Sequence, residues 1–214
     1  MRLNLDADAL LSTTRSVRKR LDYQRPVARE VVMECLELAL QAPTGSNRQG
    51  WQWLFVTDDD AKQALQRIYA PNFAEYRTQA VRQPLPEDDP RVRRAARVAD
   101  SAQYLADTMH RAPILLIPCL EGWNNADSGT SASYWGSILP AVWSFMLALR
   151  ERGLGSSWTT LHLNNGGEQR AAQLLGIPDG YRQAGLFPIA YTKGTEFHRA
   201  SRLPATTVSH WDRW

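Results

Sequence analysis

The segment from Ser133 to Arg152 places the strongest constraint on the fold of this 214-residue chain, because it is apolar on nearly every side. Its apolar residues recur at helical spacing and predict one helix: Trp135, Ile138, Leu139, Val142, Trp143, Phe145, Met146, Leu147 and Leu149. A helix without a polar face is buried all round, as a central core helix or at a subunit interface. The run from Trp135 to Leu149 is shorter than the roughly 20 residues that span a bilayer. We therefore expect no membrane segment.

The composition is that of an ordinary globular protein, with 43% hydrophobic and 22% charged residues. The length predicts one domain covering residues 1–214. The net charge of +3 is too small to indicate a nucleic-acid partner. Cys35 and Cys119 lie in apolar runs and are expected to be buried thiols in a reducing compartment. Residues 1–9 lack the apolar core of a signal peptide, so we expect a cytoplasmic protein.

Helical and strand patterns alternate imperfectly along the chain. Together they predict an α+β fold, in which a mostly antiparallel sheet is flanked by helices. The segment from Ala70 to Pro90 is rich in proline and polar residues and is the best candidate for a loop that is mobile or covers the substrate. The predicted helices are Val27–Ala42, Asp58–Tyr69, Arg91–Arg111, Ser133–Arg152 and Glu168–Leu175, and the predicted strands are Trp53–Thr57, Ile114–Leu120, Ser156–Leu163 and Leu186–Tyr191.

A basic motif, Arg15-Ser16-Val17-Arg18, stands near the N-terminus. Two guanidinium groups flank a hydroxyl, and the planar fork of arginine suits the oxygens of a phosphate. The motif therefore indicates an anionic, phosphorylated ligand. The alternative is a solvated basic stretch at the end of a helix.

A second motif, Ala42-Pro43-Thr44-Gly45-Ser46-Asn47-Arg48-Gln49, follows the first long helix. Its small and hydroxyl residues let a ligand approach the backbone amides. Asn47 and Gln49 each offer a donor and an acceptor, which suits the edge of a heteroaromatic ring. The alternative is a turn that ends the helix and leads into the next strand.

Several motifs of known chemistry are missing from the sequence. There is no metal-ligand spacing of His, Cys, Asp or Glu, no P-loop and no Gly-x-Gly-x-x-Gly fingerprint. A Ser/His/Asp triad stays open, since triads are assembled in space. If the chain is an enzyme, a cofactor is expected to carry the chemistry.

The order of these motifs resembles the FMN-dependent nitroreductase family, whose usual pattern is Arg-Arg-Ser-x-Arg followed by Ala-Pro-Ser-x-x-Asn-x-Gln-Pro-Trp. The resemblance continues along nearly the whole chain, in Gly153-Leu154-Gly155, Leu174-Leu175-Gly176-Ile177-Pro178, Pro188-Ile189-Ala190-Tyr191 and Ser201-Arg202-Leu203-Pro204. It implies a three-layer sandwich and a homodimer with FMN at each interface, in which the C-terminal tail is exchanged with the partner. It also implies hydride transfer from NAD(P)H through flavin N5 to a small aromatic acceptor, such as a nitroaromatic or quinone, or to an enone.

The resemblance also assigns roles to individual residues. Arg15, Ser16 and Arg18 match the segment that holds the phosphate and ribityl chain, and Arg18 also approaches the N1/O2 side of the flavin. Arg202 matches a C-terminal phosphate ligand. Four residues, Pro43, Thr44, Gly45 and Asn47, match positions that reach the flavin from the partner subunit, and three more, Trp158, Thr159 and Thr160, match the backbone beside the isoalloxazine.

Three positions depart from the family pattern. Thr14 stands where the first arginine of Arg-Arg-Ser is common, Ala200 stands where some members carry a second C-terminal cation, and Gly50 replaces the proline before Trp51. Each lost charged hydrogen bond costs roughly 1.5–3 kcal/mol of phosphate binding. We therefore expect weakened FMN binding, unless Arg15 or Arg199 substitutes.

Other functions remain open at this point. A family offshoot could perform reductive dehalogenation or flavin degradation, and a flavin-binding protein without turnover is a further alternative. The sequence does not choose between NADH and NADPH. Aromatic residues that could line the acceptor site, or simply fill the core, are Trp51, Tyr69, Phe73, Tyr104 and Trp123.

Overall fold

A computed structural model of the chain describes residues 2–82, 92–122 and 128–214. The helices are α1 Ala7–Thr13, α2 Arg29–Ala39, α3 Asp59–Arg82, α4 Val92–Thr108, α5 Ser128–Gly136, α6 Leu139–Glu151 and α7 Gly167–Leu175. The strands are β1 Leu21–Asp22, β2 Trp51–Val56, β3 Ile114–Glu121, β4 Leu154–Ser156, β5 Tyr181–Gln183 and β6 Phe187–Thr192. Short three-ten turns cover Gly45–Asn47, Met109–Arg111, Leu161–Leu163 and Ala205–Thr207.

The strands form one antiparallel sheet in the order β1-β6-β3-β2, with β4 paired to β6 and β5 paired to β3. Alternate side chains of β3 enter two different cores, as the period of a strand requires. Ile114, Leu116 and Leu120 pack with residues of α2 and α6, whereas Leu115 and Ile117 pack with residues of α3 and α4. Helices thus cover both faces of the sheet, which confirms the predicted α+β sandwich.

The long apolar segment is the core helix, but it is not continuous. The chain leaves the helical conformation at Ser137 and Ile138, and Pro140 then lies in the first turn of α6, where its missing N–H breaks no helical hydrogen bond. The prediction of one helix from Ser133 to Arg152 is therefore wrong at this break. Gly129–Glu151 as a whole is long and apolar enough to cross a membrane, a test that core helices also pass. Here α6 packs against α2 and buries seven of its residues.

The helix that follows β2 extends well beyond its predicted end at Tyr69. It runs through Pro71 to Arg82, so the first part of the predicted 70–90 loop is helical, and residues 83–91 lie outside the described residues. Contacts of the next two residues stabilise the helix at Pro71, which has no N–H to donate to a helical hydrogen bond. Phe73 is buried in the core, and the side-chain amide of Asn72 donates to the carbonyl oxygens of Ile68 and Asn164.

The predicted strand from Ser156 to Leu163 is also wrong for most of its length. Strand β4 ends at Ser156, one bridge joins Thr159 to Leu186, and a three-ten turn follows. The indole of Trp158 explains this departure, since its Nε1 donates to the Ala184 carbonyl at 3.1 Å. A Cβ on Gly185 would lie 2.7 Å from that nitrogen, so only glycine admits the ring there.

Candidate functional site

Backbone contacts fix the Arg15–Arg18 motif beside β4. Ser16 forms a parallel bridge with Ser156, and the amide of Val17 donates to the Ser156 carbonyl at 2.8 Å. The approach is close because Gly155 has no side chain. A Cβ at that position would lie 3.0 Å from the Cβ of Val17. The Gly153-Leu154-Gly155 segment therefore positions the basic motif.

The side chains of the motif point in different directions. Val17 is buried, whereas Arg15 is exposed and its Nη1 donates to the His198 carbonyl at 3.1 Å. Arg18 is half-buried and its Nη1 lies 3.5 Å from Ser101 Oγ on α4. Burial lowers the pKa of the Arg18 guanidinium, and the nearby Tyr69 opposes that shift. Since free arginine titrates above pH 12, the group stays a cation at neutral pH.

Tyr69 interacts both with Arg18, through its charge, and with Thr159, one of the three residues predicted to lie beside the isoalloxazine. The Tyr69 hydroxyl lies 3.3 Å from Oγ1 of Thr159, and burial raises the pKa of the phenol, which stays neutral at pH 7. Arg18 and Thr159 therefore share Tyr69 as an interaction partner. Trp158 packs its ring against Phe187 and Thr160 is exposed.

The Pro43–Gln49 turn lies elsewhere, against α5. The Gly45 amide donates to Ser137 Oγ at 2.9 Å, and a Cβ on Gly45 would lie 3.2 Å from the hydroxyls of Ser133 and Ser137. Asn47 accepts from the Gln49 side chain at 3.0 Å. Pro43 and Asn47 are exposed and Thr44 is half-buried. No hydrogen bond within the described ranges joins this turn to the Arg15–Arg18 motif.

Arg202 lies in a tail that packs on little of its own chain. Residues 201–214 are all exposed, and the Arg202 guanidinium donates to the carbonyl of the adjacent Ser201. Trp211 and Trp214 are 87% and 102% exposed. No hydrogen bond among the described residues joins Arg202 to the Arg15–Arg18 motif.

Two further cations lie close together, Arg20 just after the basic motif and Arg150 at the end of α6. The Arg20 guanidinium donates to the Lys193 and Glu196 carbonyls and lies 4.1 Å from the ring centroid of Phe197. Arg150, at the end of α6, lies 4.8 Å from the same centroid. A charged residue that ends an apolar helix normally indicates a solvated end, so the sequence carried no signal that Arg150 is buried.

The aromatic candidates separate into core and near-site residues. Trp51 and Phe73 are core residues, Tyr69 is buried beside Thr159, Tyr104 is half-buried, and Trp123 lies outside the described residues. Both cysteines are buried free thiols, as predicted. Burial raises the pKa of Cys35 to about 11 and that of Cys119 to about 12, so neither is a reactive thiolate at neutral pH.

A cavity of about 290 Å³ lies between α7 and β5. The charged residues in its lining are Glu168, Asp179 and Arg182. Both carboxylate oxygens of Glu168 are used, since they accept from Arg182 and from the Gln183 amide, each at 3.0 Å. The cavity contains none of the residues predicted to bind flavin. We therefore place the candidate site at the Arg15–Arg18 motif.

The model of the nitroreductase family matches residues 11–191. The chain belongs to the nitroreductase family. This membership confirms the family recognised from the motifs and places the chain among oxidoreductases, as predicted. A search of curated protein sequences finds no significant match.

Solved structures with the same fold cover nearly the whole chain. A BluB-like flavoprotein from Clostridium difficile 630 matches with a TM-score of 0.71 and 16% identity, over 98% of this chain and 100% of its own. The FMN- and NADPH-dependent nitroreductase NfnB from Sphigopyxis sp. strain HMH matches with a TM-score of 0.68 and 23% identity, over 98% of this chain and 100% of its own. Iodotyrosine deiodinase bound to FMN and 3-iodo-L-tyrosine matches with a TM-score of 0.69 and 20% identity, over 94% of this chain and 96% of its own. At these identities the likeness shows the fold.

Proposed function

We propose that the chain is an FMN-dependent oxidoreductase that takes hydride from NAD(P)H and reduces a nitroaromatic, quinone or enone. Bound FMN supplies the redox chemistry, accepting hydride at N5 and passing it on. Family membership supports this function, and one observation in the chain carries it. Arg18 and Thr159, assigned to the flavin by separate motifs, both interact with Tyr69: the charge of Arg18 acts on its phenol, and Oγ1 of Thr159 lies 3.3 Å from its hydroxyl.

The residues around Arg18 fit such a cofactor. The hydroxyls of Ser156 and Ser157 are buried and have no hydrogen-bond partner among the described residues. Buried polar groups are normally paired, so these two are available to a polar ligand beside β4. Arg15 and Arg18 add positive charge on the same segment. In this proposal Arg15 and Ser16 bind the phosphate and ribityl chain, and the Trp158–Thr160 backbone lies along the flavin ring.

Arg18 also has an electrostatic role in this proposal. A bound reduced flavin would carry negative charge. Arg18, which the resemblance assigns to the N1/O2 edge, is half-buried and would stabilise that charge more than an exposed guanidinium does. The reduction potential of the bound flavin therefore rises. Hydride transfer then needs no acid or base from the protein, only orientation and a fixed positive field.

We infer that the site is completed by a second copy of the chain. Pro43, Thr44, Gly45 and Asn47 lie away from Arg18, on the α5 side of the same chain, so in a homodimer they would approach the partner's flavin. The exposed Trp211 and Trp214 support exchange of the tail, which would bring Arg202 to the partner. Leu38 on α2 and Trp143 on α6 are further exposed apolar residues that a partner would cover.

Two further proposals, made first from the sequence, concern the number of domains and the location of the protein in the cell. One domain over residues 1–214 is supported by β3, which contributes to the cores on both faces of the sheet. A reducing, cytoplasmic location is supported by the two free cysteines.

The acceptor has two candidate classes. The likeness to iodotyrosine deiodinase and to a BluB-like flavoprotein favours a family offshoot performing reductive dehalogenation or flavin degradation as the second function. We expect the segment from Ala70 to Pro90 to select between these acceptors.

Loading the protein with FMN tests the binding part of this proposal. We expect purified protein, incubated with FMN and desalted, to retain one flavin per subunit and to elute as a dimer in size-exclusion chromatography with light scattering. A monomer that retains stoichiometric FMN would contradict the shared site. Protein that retains no flavin at any FMN concentration would contradict the cofactor assignment.

A further inference from the structure

Arg150 is a buried cation whose donors are only partly used. The residue is 6% exposed, and its Nη2 lies 3.4 Å from Thr13 Oγ1. Its Nε and Nη1 have no hydrogen-bond partner among the described residues. A buried charge with unpaired donors is costly unless an anion neutralises it. Burial accordingly lowers the pKa of this guanidinium, and the nearby Arg20 adds to the shift.

A second unpaired donor, the hydroxyl of Ser156, lines a small cavity together with Arg150. The buried hydroxyl of Ser156 has no partner among the described residues, and both Ser156 and Arg150 line a water-sized cavity with Thr13, Thr14 and Arg15. Arg15 is exposed. The cavity therefore offers buried donors within and a cation at its edge.

The surroundings are positively charged. Arg20 and Arg150 lie over the same Phe197 ring, and Arg199 Nε donates to Ser12 Oγ at 3.2 Å, one residue before Thr13. The nearest acid along α6, Glu151, is occupied elsewhere, because its two oxygens accept from the Asn4 and Leu5 amides. The charge of Glu151 still partly opposes the lowering of the Arg150 pKa. Glu151 makes no hydrogen bond to Arg150 among the described residues, however, so the cations of the cluster outnumber its one nearby anion.

Two family cations are missing from the same region of the chain. Thr14 and Ala200 stand where cations are common, and Thr14 cannot replace one, since its hydroxyl already donates to the Leu10 carbonyl at 2.7 Å. Thr14 lines the cavity beside Arg150. The buried guanidinium is therefore placed to supply the charge that Thr14 lacks.

We propose that Arg150, assisted by Ser156, binds an oxygen of the FMN phosphate and replaces the missing N-terminal arginine. The proposal rests on the proposed FMN function. The cavity is large enough for one oxygen atom, and Arg15, which also lines it, would bind the remainder of the phosphate. Riboflavin has the same ring and ribityl chain but no phosphate, so the ratio of its dissociation constant to that of FMN isolates the contribution of this contact.

The test measures both dissociation constants by flavin fluorescence for the full-length protein and its variants. We expect wild type to prefer FMN, and Arg150→Met to weaken FMN binding roughly 10- to 150-fold with little change for riboflavin. Arg150→Lys, which keeps the charge, should recover part of the preference. Arg152→Met is the matched control, because Arg152 is equally buried but paired with Glu34 at 3.2 Å, and its ratio should equal that of wild type.

Ser156→Ala keeps the proposal testable if Arg150→Met does not fold. That hydroxyl makes no hydrogen bond within the described residues, so its loss removes no folding contact, and the FMN preference should fall roughly 2- to 10-fold. An unchanged ratio in Arg150→Met, or in Ser156→Ala where Arg150→Met does not fold, overturns the proposal and leaves the FMN function standing. A wild type that binds neither flavin overturns both.

Discussion

Replacing Phe145 by alanine is expected to lower the free energy of unfolding by about 3–5 kcal/mol. Phe145 is 1% exposed at the centre of α6 and packs against Trp53 and Phe55 of β2, with ring centroids 5.6 and 6.1 Å apart. Truncation leaves a cavity between helix and sheet that rigid neighbours cannot fill. Urea unfolding at fixed protein concentration, without flavin, measures the change.

Tyr76→Ala is the control for that substitution. Tyr76 is also an aromatic residue on a helix, but it is 52% exposed on α3, and its loss should cost under about 1 kcal/mol. Equal losses for the two variants would contradict the placement of α6 in the core.

Replacing Arg18 by methionine is expected to weaken FMN binding roughly 10- to 150-fold, the cost of one charged hydrogen bond. Methionine keeps most of the side-chain volume, so the variant should fold with a thermal midpoint close to that of wild type. The remaining bound flavin should have a lower midpoint potential, because the cation that stabilises the reduced ring is gone. A fluorescence titration and a redox titration measure the two effects.

Arg67→Met removes an exposed cation from α3, the helix that carries Tyr69. It should change neither the FMN affinity nor the potential. If Arg18→Met binds FMN as tightly as Arg67→Met, Arg18 does not contact the cofactor, and its assignment to the flavin is wrong.

Periodicity predicted the regular elements well where packing agrees with local preference. Helix α2 has apolar residues at helical spacing, and β3 is a continuous apolar run whose side chains enter the cores on both faces of the sheet. The failures occur where distant contacts decide. Pro71 is accepted inside α3 because Phe73 and Asn72 are held by the core and by Asn164. No local pattern reveals those contacts.

The candidate site was predictable in its motifs and not in its assembly. Arg18 and Thr159 are far apart in the chain, and no sequence pattern indicates that Tyr69, one of the aromatic candidates, interacts with both. Arg150 reads as the polar end of an apolar helix, and only the fold shows that it is buried beside Thr13. The position of Pro43–Asn47 relative to the flavin depends on a second subunit, which one sequence does not specify.

Anaerobic reduction of the FMN-loaded protein tests the central claim most directly. We expect the visible absorbance of oxidised flavin to bleach on addition of NADPH or NADH, and to return when a nitroaromatic or quinone is then added without oxygen. Free FMN at the same concentration, which lacks the bound orientation, should bleach far more slowly. Flavin that binds but stays oxidised with both nucleotides would contradict the account and indicate a flavin-binding protein without turnover.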